Sequence, residues 1–157
     1  MAACVGKYFN VSDATIAHAI SSYLPENNRS QLVTTAKNKL IVDAYNANPT
    51  SMEISILNFN NIKSENKLLI LGDMFELGEC SGAEHLKILE LIQYKEFKEV
   101  YLVGSNFSSL KDKFSGYNYF ENSDALVRYL NDNEISGKSI LLKASRGIQL
   151  EKVIPYL

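Results

Sequence analysis

The stretch Lys67-Leu68-Leu69-Ile70-Leu71-Gly72-Asp73 decides the fold. A strand with one wet face alternates apolar and polar residues with a period of two. Here four aliphatic residues, Leu68 to Leu71, stand side by side. An unbroken apolar run of that length is expected of a parallel strand covered by helices on both faces. It is far too short to cross a bilayer, which takes about 20 apolar residues in a helix. The run ends in Gly72-Asp73, residues that favour a turn.

The pattern repeats downstream. Val100-Tyr101-Leu102-Val103 ends in Gly104, and Ser139-Ile140-Leu141-Leu142-Lys143 runs into Ala144-Ser145-Arg146-Gly147. Helical spacing fills the gaps. A helix is expected over 84–94 on Leu86, Leu89 and Ile92, and another on Ala125, Leu126, Tyr129 and Leu130. A short helical turn and a strand at 117–120 lie between them, and 149–156 reads as the last helix. Upstream, Pro49 opens a helix with Met52, Ile56 and Phe59 on one face. Before it, 31–35 and 40–43 are β-rich around Lys37-Asn38-Lys39, a hairpin turn. Alternating β and α units predict a Rossmann-like three-layer α/β sandwich, with a mostly parallel sheet and an antiparallel edge strand or hairpin.

Residues 1–24 read as separate from this body. Ser12 or Asp13 caps a helix on which Ile16, Ile20, Tyr23 and Leu24 recur on one side, and Pro25 stops it. Glu26-Asn27-Asn28-Arg29-Ser30 is a polar connector, so the division is 1–24 helical tail, 25–30 linker, 31–157 α/β domain. A lone helix of this size is marginal in water, which implies a neighbouring body for it to pack on.

The composition agrees with one soluble core. The chain has 157 residues, 46% hydrophobic and 22% charged, with a net charge of -2. Its basic residues are scattered, which excludes an electrostatic footprint for nucleic acid, and nothing predicts membrane insertion. The first residues lack the layout of a signal peptide. Two cysteines, Cys4 and Cys80, are too few for a disulfide framework and read as free thiols. A cytoplasmic location is expected.

In doubly wound sheets ligands gather outside the carboxyl ends of the strands. Four loops lie there: Asp43-Ala44-Tyr45-Asn46-Ala47-Asn48-Pro49, Gly72-Asp73-Met74, Gly104-Ser105-Asn106, and Lys143-Ala144-Ser145-Arg146-Gly147. Each taken alone is ordinary turn chemistry, but together they predict a rim that binds an anionic ligand. Gly137-Lys138-Ser139 imitates the end of a phosphate-binding loop, yet it precedes a strand and lacks the first glycine, where Asp132 stands. It is a turn. His18 and His85 lack metal-ligand spacing with the cysteines, and Ser145 lacks the preceding glycine of a nucleophile elbow, since Lys143 is there.

The loop that starts at Asp43 is the most specific. Asp43-Ala44-Tyr45-Asn46-Ala47-Asn48-Pro49-Thr50-Ser51-Met52 resembles the D-x-Y-N-A-N-P-x-S-M that opens the carboxyl-terminal domain of the D-alanyl-D-alanine-adding branch of the Mur ligase family. Leu71-Gly72-Asp73-Met74-Phe75-Glu76-Leu77-Gly78 is similar to its L-G-D-M-x-E-L-G, and Arg29-Ser30-Gln31 to the R-x-Q after its interdomain linker. Lys143-Ala144-Ser145-Arg146-Gly147 is similar to its K-G-S-R-x, with Ala144 in place of glycine. The segment from Ala2 to Ser12 resembles the last helices of the family's central ATPase domain, so the resemblance covers essentially the whole chain.

The resemblance implies an ATP-dependent ligase that joins D-alanyl-D-alanine to UDP-N-acetylmuramoyl-tripeptide through an acyl phosphate, in peptidoglycan precursor synthesis. The phosphate loop, the magnesium ligands and the carbamylated lysine would belong to the central domain of the same protein, so the segment alone is expected to be inactive. By the same resemblance Arg29 would reach the ATP phosphates, Asp43 the ribose, and Asn46 and Asn48 would shape the nucleotide loop. Asp73, Ser145, Arg146 and Tyr45 would meet the dipeptide: its amine suits an acid, its carboxylate an arginine fork. His85 is a further residue for the same cleft. Alanine at 144 raises the question of loop geometry, since glycine permits backbone angles that alanine does not.

Two other readings compete. A sister ligase of the pathway would open this domain with D-Y-A-H-T-P, which Asn46-Ala47-Asn48 does not match. A non-enzymatic receiver-like module would place Asp43, Asp73 and Lys143 similarly but needs an acidic pair at its first strand end, where Asp43 stands alone.

Overall fold

A computed structural model describes residues 1–23 and 29–157; Leu24, the expected stop at Pro25 and linker positions 26–28 lie outside the described residues. Two short helices come first, α1 (Ala2–Tyr8) and α2 (Asp13–Ser22), the second capped by Ser12, whose hydroxyl accepts from the Thr15 amide. They pack on each other where Ile16 lies against Gly6. Neither buries a residue: Val5, Tyr8, Phe9, Ile20 and Tyr23 remain exposed, as does His18.

The body is one six-stranded sheet in the order β1-β2-β6-β3-β4-β5. Strands β1 (Gln31–Thr34) and β2 (Lys39–Asp43) form the antiparallel hairpin at one edge. The Thr35 hydroxyl closes its turn by accepting from the amides of Lys37 and Asn38. The other pairings, among β2, β3 (Lys67–Gly72), β4 (Glu99–Val103), β5 (Asn118–Phe120) and β6 (Ser139–Lys143), are all parallel.

The apolar run Leu68 to Leu71 behaves as expected. Leu68 and Ile70 face one half of the core, with Ile140, Leu142, Leu126 and Leu130 of α6 (Ser123–Asp132) and Leu150 and Val153. Leu69 and Leu71 face the other half, with Met52, Ile56 and Phe59 of α3 (Pro49–Asn60) and Ile88, Leu89 and Ile92 of α4 (Ser81–Tyr94). All four residues of the run are fully buried. The three-layer sandwich therefore holds, with helices on both faces.

Three details differ from the sequence reading. Helix α4 starts at Ser81 rather than near residue 84; Leu89 and Ile92 are buried as expected, but His85 and Ile88 complete the inner face while Leu86 is only half-buried. The last helix is a 3-10 segment, Leu150–Tyr156, entered through Gln149 in the left-handed region and carrying Pro155 inside it. Ala144, standing where the resemblance has glycine, does not have a positive φ. Its methyl instead packs beside Gly72, where any Cβ would come within 2.7 Å of it. The small residue of this contact lies on β3, so alanine is tolerated at 144.

Among the described residues no helix is long and apolar enough to cross a membrane.

Candidate functional site

Parallel register brings the strand ends level. Asp43 at the end of β2 stands opposite Lys143 at the end of β6, Lys143 stands opposite Leu71 of β3, and Gly72 opposite Val103 of β4. The loops following these strands thus share one rim, and they form two layers.

The inner layer is built of buried polar groups. Lys143 is 1% exposed and places its ammonium 2.5 Å from Asp43 Oδ2, with the Asn46 carbonyl at 3.3 Å as a second acceptor. The other Asp43 oxygen accepts from the Ser30 amide at 3.2 Å, which ties the start of β1 to the end of β2. Asp73 is 1% exposed and has both oxygens engaged. Oδ2 accepts from the backbone and side-chain nitrogens of Asn106 at 2.9 and 3.1 Å, and Oδ1 accepts from the Phe107 amide at 3.0 Å. The carboxylate thereby caps α5 (Ser105–Ser108). Ser145 is buried as well: its hydroxyl accepts from the Phe75 amide at 2.9 Å and donates to the Ala47 carbonyl at 3.3 Å, stapling three loops together.

His85 belongs to this layer and does not line a cleft. It is fully buried, its Nδ1 donates to the Ser81 carbonyl at 2.7 Å, and its Nε2 accepts from the Met74 amide at 3.0 Å. That acceptor role leaves no proton on Nε2, so its approach of 3.6 Å to Asp73 is not an ion pair. Phe107 packs edge-on against the imidazole at 4.6 Å.

The outer layer is exposed and cationic. Arg29, Tyr45, Asn46, Asn48 and Arg146 are all open to solvent. The Arg29 guanidinium carbon lies 3.9 Å from the centre of the Tyr45 ring, and that of Arg146 lies 5.4 Å from the same centre. The N–H donors and charge of Arg29, followed by the charge of Arg146, hold the Tyr45 phenol below the usual tyrosine range. The rim has an acid, Asp43, but its charge is matched by Lys143, so the two arginines leave the surface ready for an anion.

Asn48 shows how a residue can satisfy turn chemistry completely. Its side chain accepts from the Ser51 amide at 2.8 Å while the Ser51 hydroxyl accepts from the Asn48 amide at 3.1 Å, a reciprocal cap with Pro49 beginning the helix. Asn48→Ala is therefore expected to cost about 1 kcal/mol of stability, with Asn48→Asp recovering most of it. Urea unfolding of the three proteins decides; equal midpoints for all three would remove the cap from the account.

Of the residues singled out from the sequence, the structure gathers Arg29, Tyr45, Asn46 and Arg146 at the surface of one rim, with Asp43 half-buried against Lys143 and Asn48 at the head of α3. It places Asp73 and Ser145 beneath them as internal ties. The sequence reading placed Lys143, Gly104 and Asn106 in the rim loops without giving any of them a role, and it missed the Phe107 amide. One signal for Lys143 was available: a lysine ending an otherwise apolar strand, level with Asp43. A receiver-like phosphoacceptor at Asp73 is disfavoured, because that carboxylate is sealed under α5 with both oxygens engaged. Among the described residues no three His, Cys, Asp or Glu side chains are grouped to hold a metal ion.

Comparison with known proteins bears on the chain as a whole. Residues 28–146 match the model of the Mur ligase, glutamate ligase domain. The UDP-N-acetylmuramoyl-tripeptide--D-alanyl-D-alanine ligase of Bacillus subtilis is 31% identical over 99% of this chain and 36% of its own length. The enzyme of the same name from Buchnera aphidicola of Baizongia pistaciae is 33% identical over 99% of this chain and 34% of its own length. The chain thus spans about a third of these relatives. Among solved structures, MurF ligase from Thermotoga maritima in complex with ADP superposes with a TM-score of 0.79 at 22% identity, over 98% of this chain and 35% of that one. MurF from Acinetobacter baumannii gives 0.79 at 22%, over 96% and 34%. At such identity these structures speak to fold alone, whereas the domain match covers most of the sequence: the chain belongs to the Mur ligase family.

Proposed function

We propose that this chain is the carboxyl-terminal part of an ATP-dependent ligase that adds D-alanyl-D-alanine to UDP-N-acetylmuramoyl-tripeptide in the cytoplasm. The observation that carries the reading is the convergence of Arg29, Asp43, Tyr45 and Arg146 on one cationic rim, in loops that resemble the D-alanyl-D-alanine-adding branch. In the whole protein, the γ-phosphoryl group of ATP passes to the tripeptide carboxylate, giving ADP and an acyl phosphate. The dipeptide amine then attacks the acyl carbon, and the tetrahedral intermediate expels inorganic phosphate. The magnesium ligands and the phosphate loop are assigned to the central domain of the same protein.

This chain supplies the other wall of the site. Arg29, fixed in charge, offsets negative charge on the ATP phosphates. Asp43 faces the ribose while Lys143 and Ser30 hold its orientation, and Asn46 and Asn48 shape the loop beside the nucleotide. Arg146 takes the dipeptide carboxylate. Asp73 and Ser145 act from beneath, holding the loops that present Arg146 and Tyr45.

The test joins this segment to the upstream domains and measures phosphate release that requires both ATP and D-alanyl-D-alanine; release that ignores the dipeptide would overturn the reading. In the same protein Arg146→Ala is expected to raise the dipeptide KM by about 10- to 100-fold, the loss of a charge-assisted hydrogen-bonded pair. An unchanged KM would withdraw Arg146 from the carboxylate.

A further inference from the structure

We propose that Tyr45 is a positioning residue that gathers Arg29 and Arg146 into one paired anion-binding unit, so that the nucleotide side and the dipeptide side of the rim share a single seat. The inference deepens the functional reading above and rests on it for the identity of the two ligands. The three residues come from separate places in the chain: Arg29 precedes β1, Tyr45 follows β2, and Arg146 follows β6. Sheet order puts those three strands side by side. Two guanidiniums repel each other, and exposed arginines ordinarily extend into water, yet both lie against one ring, at 3.9 and 5.4 Å. Among the described residues neither is paired with a carboxylate, and Asp43 is already taken by Lys143 and the Ser30 amide. The negative face of an aromatic ring is what brings two cations together in the absence of an acid. An anion that bridges them completes the neutralisation.

Two further ties set the geometry. Ser30 sits at φ 49 with its amide on Asp43, which fixes where the neighbouring Arg29 starts, and Ser145 is stapled to Ala47 and Phe75, which fixes Arg146. Tyr45 lies between these anchors.

The experiment uses the 157-residue chain, with inorganic pyrophosphate as the probe and the guanidinium signals of Arg29 and Arg146 read by NMR. Expected is one saturable titration in which both signals move with a common midpoint. Tyr45→Leu should weaken it roughly tenfold, the loss of two cation–π contacts, and Tyr45→Phe should stay within about threefold of wild type. Separate midpoints, no saturable shift in wild type, or a Tyr45→Leu protein that binds like wild type would each overturn the proposal. In the joined enzyme Tyr45→Leu should raise KM for both ATP and D-alanyl-D-alanine more than it lowers kcat, with Tyr45→Phe restoring both. A KM change for only one substrate counts against the shared seat. Failure of the joined enzyme to require the dipeptide would sink the functional reading and leave the pyrophosphate result standing by itself.

Discussion

Asp43→Ala should destabilise the chain by about 3–5 kcal/mol, the cost of leaving a buried charge without its partner. The reason lies in an asymmetry within the pair. Lys143 is 1% exposed and Asp43 18%. Removing the carboxylate strands the ammonium with only the Asn46 carbonyl at 3.3 Å. Removing the ammonium, as in Lys143→Met, leaves an acid that reaches water, keeps the Ser30 amide, and can still take the Ser55 hydroxyl at 3.4 Å. A methionine of similar length also fills the channel that the lysine stem occupies. Lys143→Met is therefore expected to cost clearly less than Asp43→Ala, and the double substitution less than the sum of the two. Urea unfolding of the four proteins measures all the terms. If Lys143→Met proves the more damaging change, the pair is not organised around a buried cation.

The same pair shows where sequence reading stops. Leu68 to Leu71 are legible because burial on both faces requires apolar residues without interruption, and no surface element tolerates that pattern. Lys143 is not legible as a buried group, since lysine is almost always exposed and gains a place inside only through an acid on another strand. That acid is 100 residues away in sequence, and only the parallel register of β2 and β6 puts the two together. His85 hides for a related reason: helical spacing read from apolar residues selects Leu86, but the position facing the core is filled by an imidazole whose two nitrogens are both satisfied. At the rim, the family resemblance singled out Arg29, Tyr45 and Arg146 without revealing that both guanidiniums lie against one ring. Asp73 was visible as a strand-end acid, but its direction was not. Only the approach of α5 shows that it faces inward, toward backbone amides, and not outward toward a ligand.

Gly104 should be the least replaceable glycine on this rim, and its partner in that constraint is Asp73. Its backbone sits at φ 122, a region reserved for glycine, and a Cβ there would fall 2.3 Å from the Asp73 carboxyl carbon. Gly104→Ala meets both penalties, and an expected loss of roughly 3–5 kcal/mol follows from backbone strain and overpacking combined. The two can be separated. Asp73→Ala removes the atoms that collide, at an expected cost of roughly 2–4 kcal/mol because the Asn106 and Phe107 amides lose their acceptor. In that background Gly104→Ala should cost only the backbone part, about 1–3 kcal/mol. The two changes are then less than additive, with a coupling of about 1–3 kcal/mol. Thermal or urea unfolding of the four members of the cycle gives the coupling directly, and Gly104→Ala that fails to fold alone but folds with Asp73→Ala makes the same point qualitatively. Strict additivity would mean that the carboxylate does not lie against residue 104. The cap on α5 would then have to be held some other way, and the inner layer that supports Arg146 and Tyr45 would lose its centre.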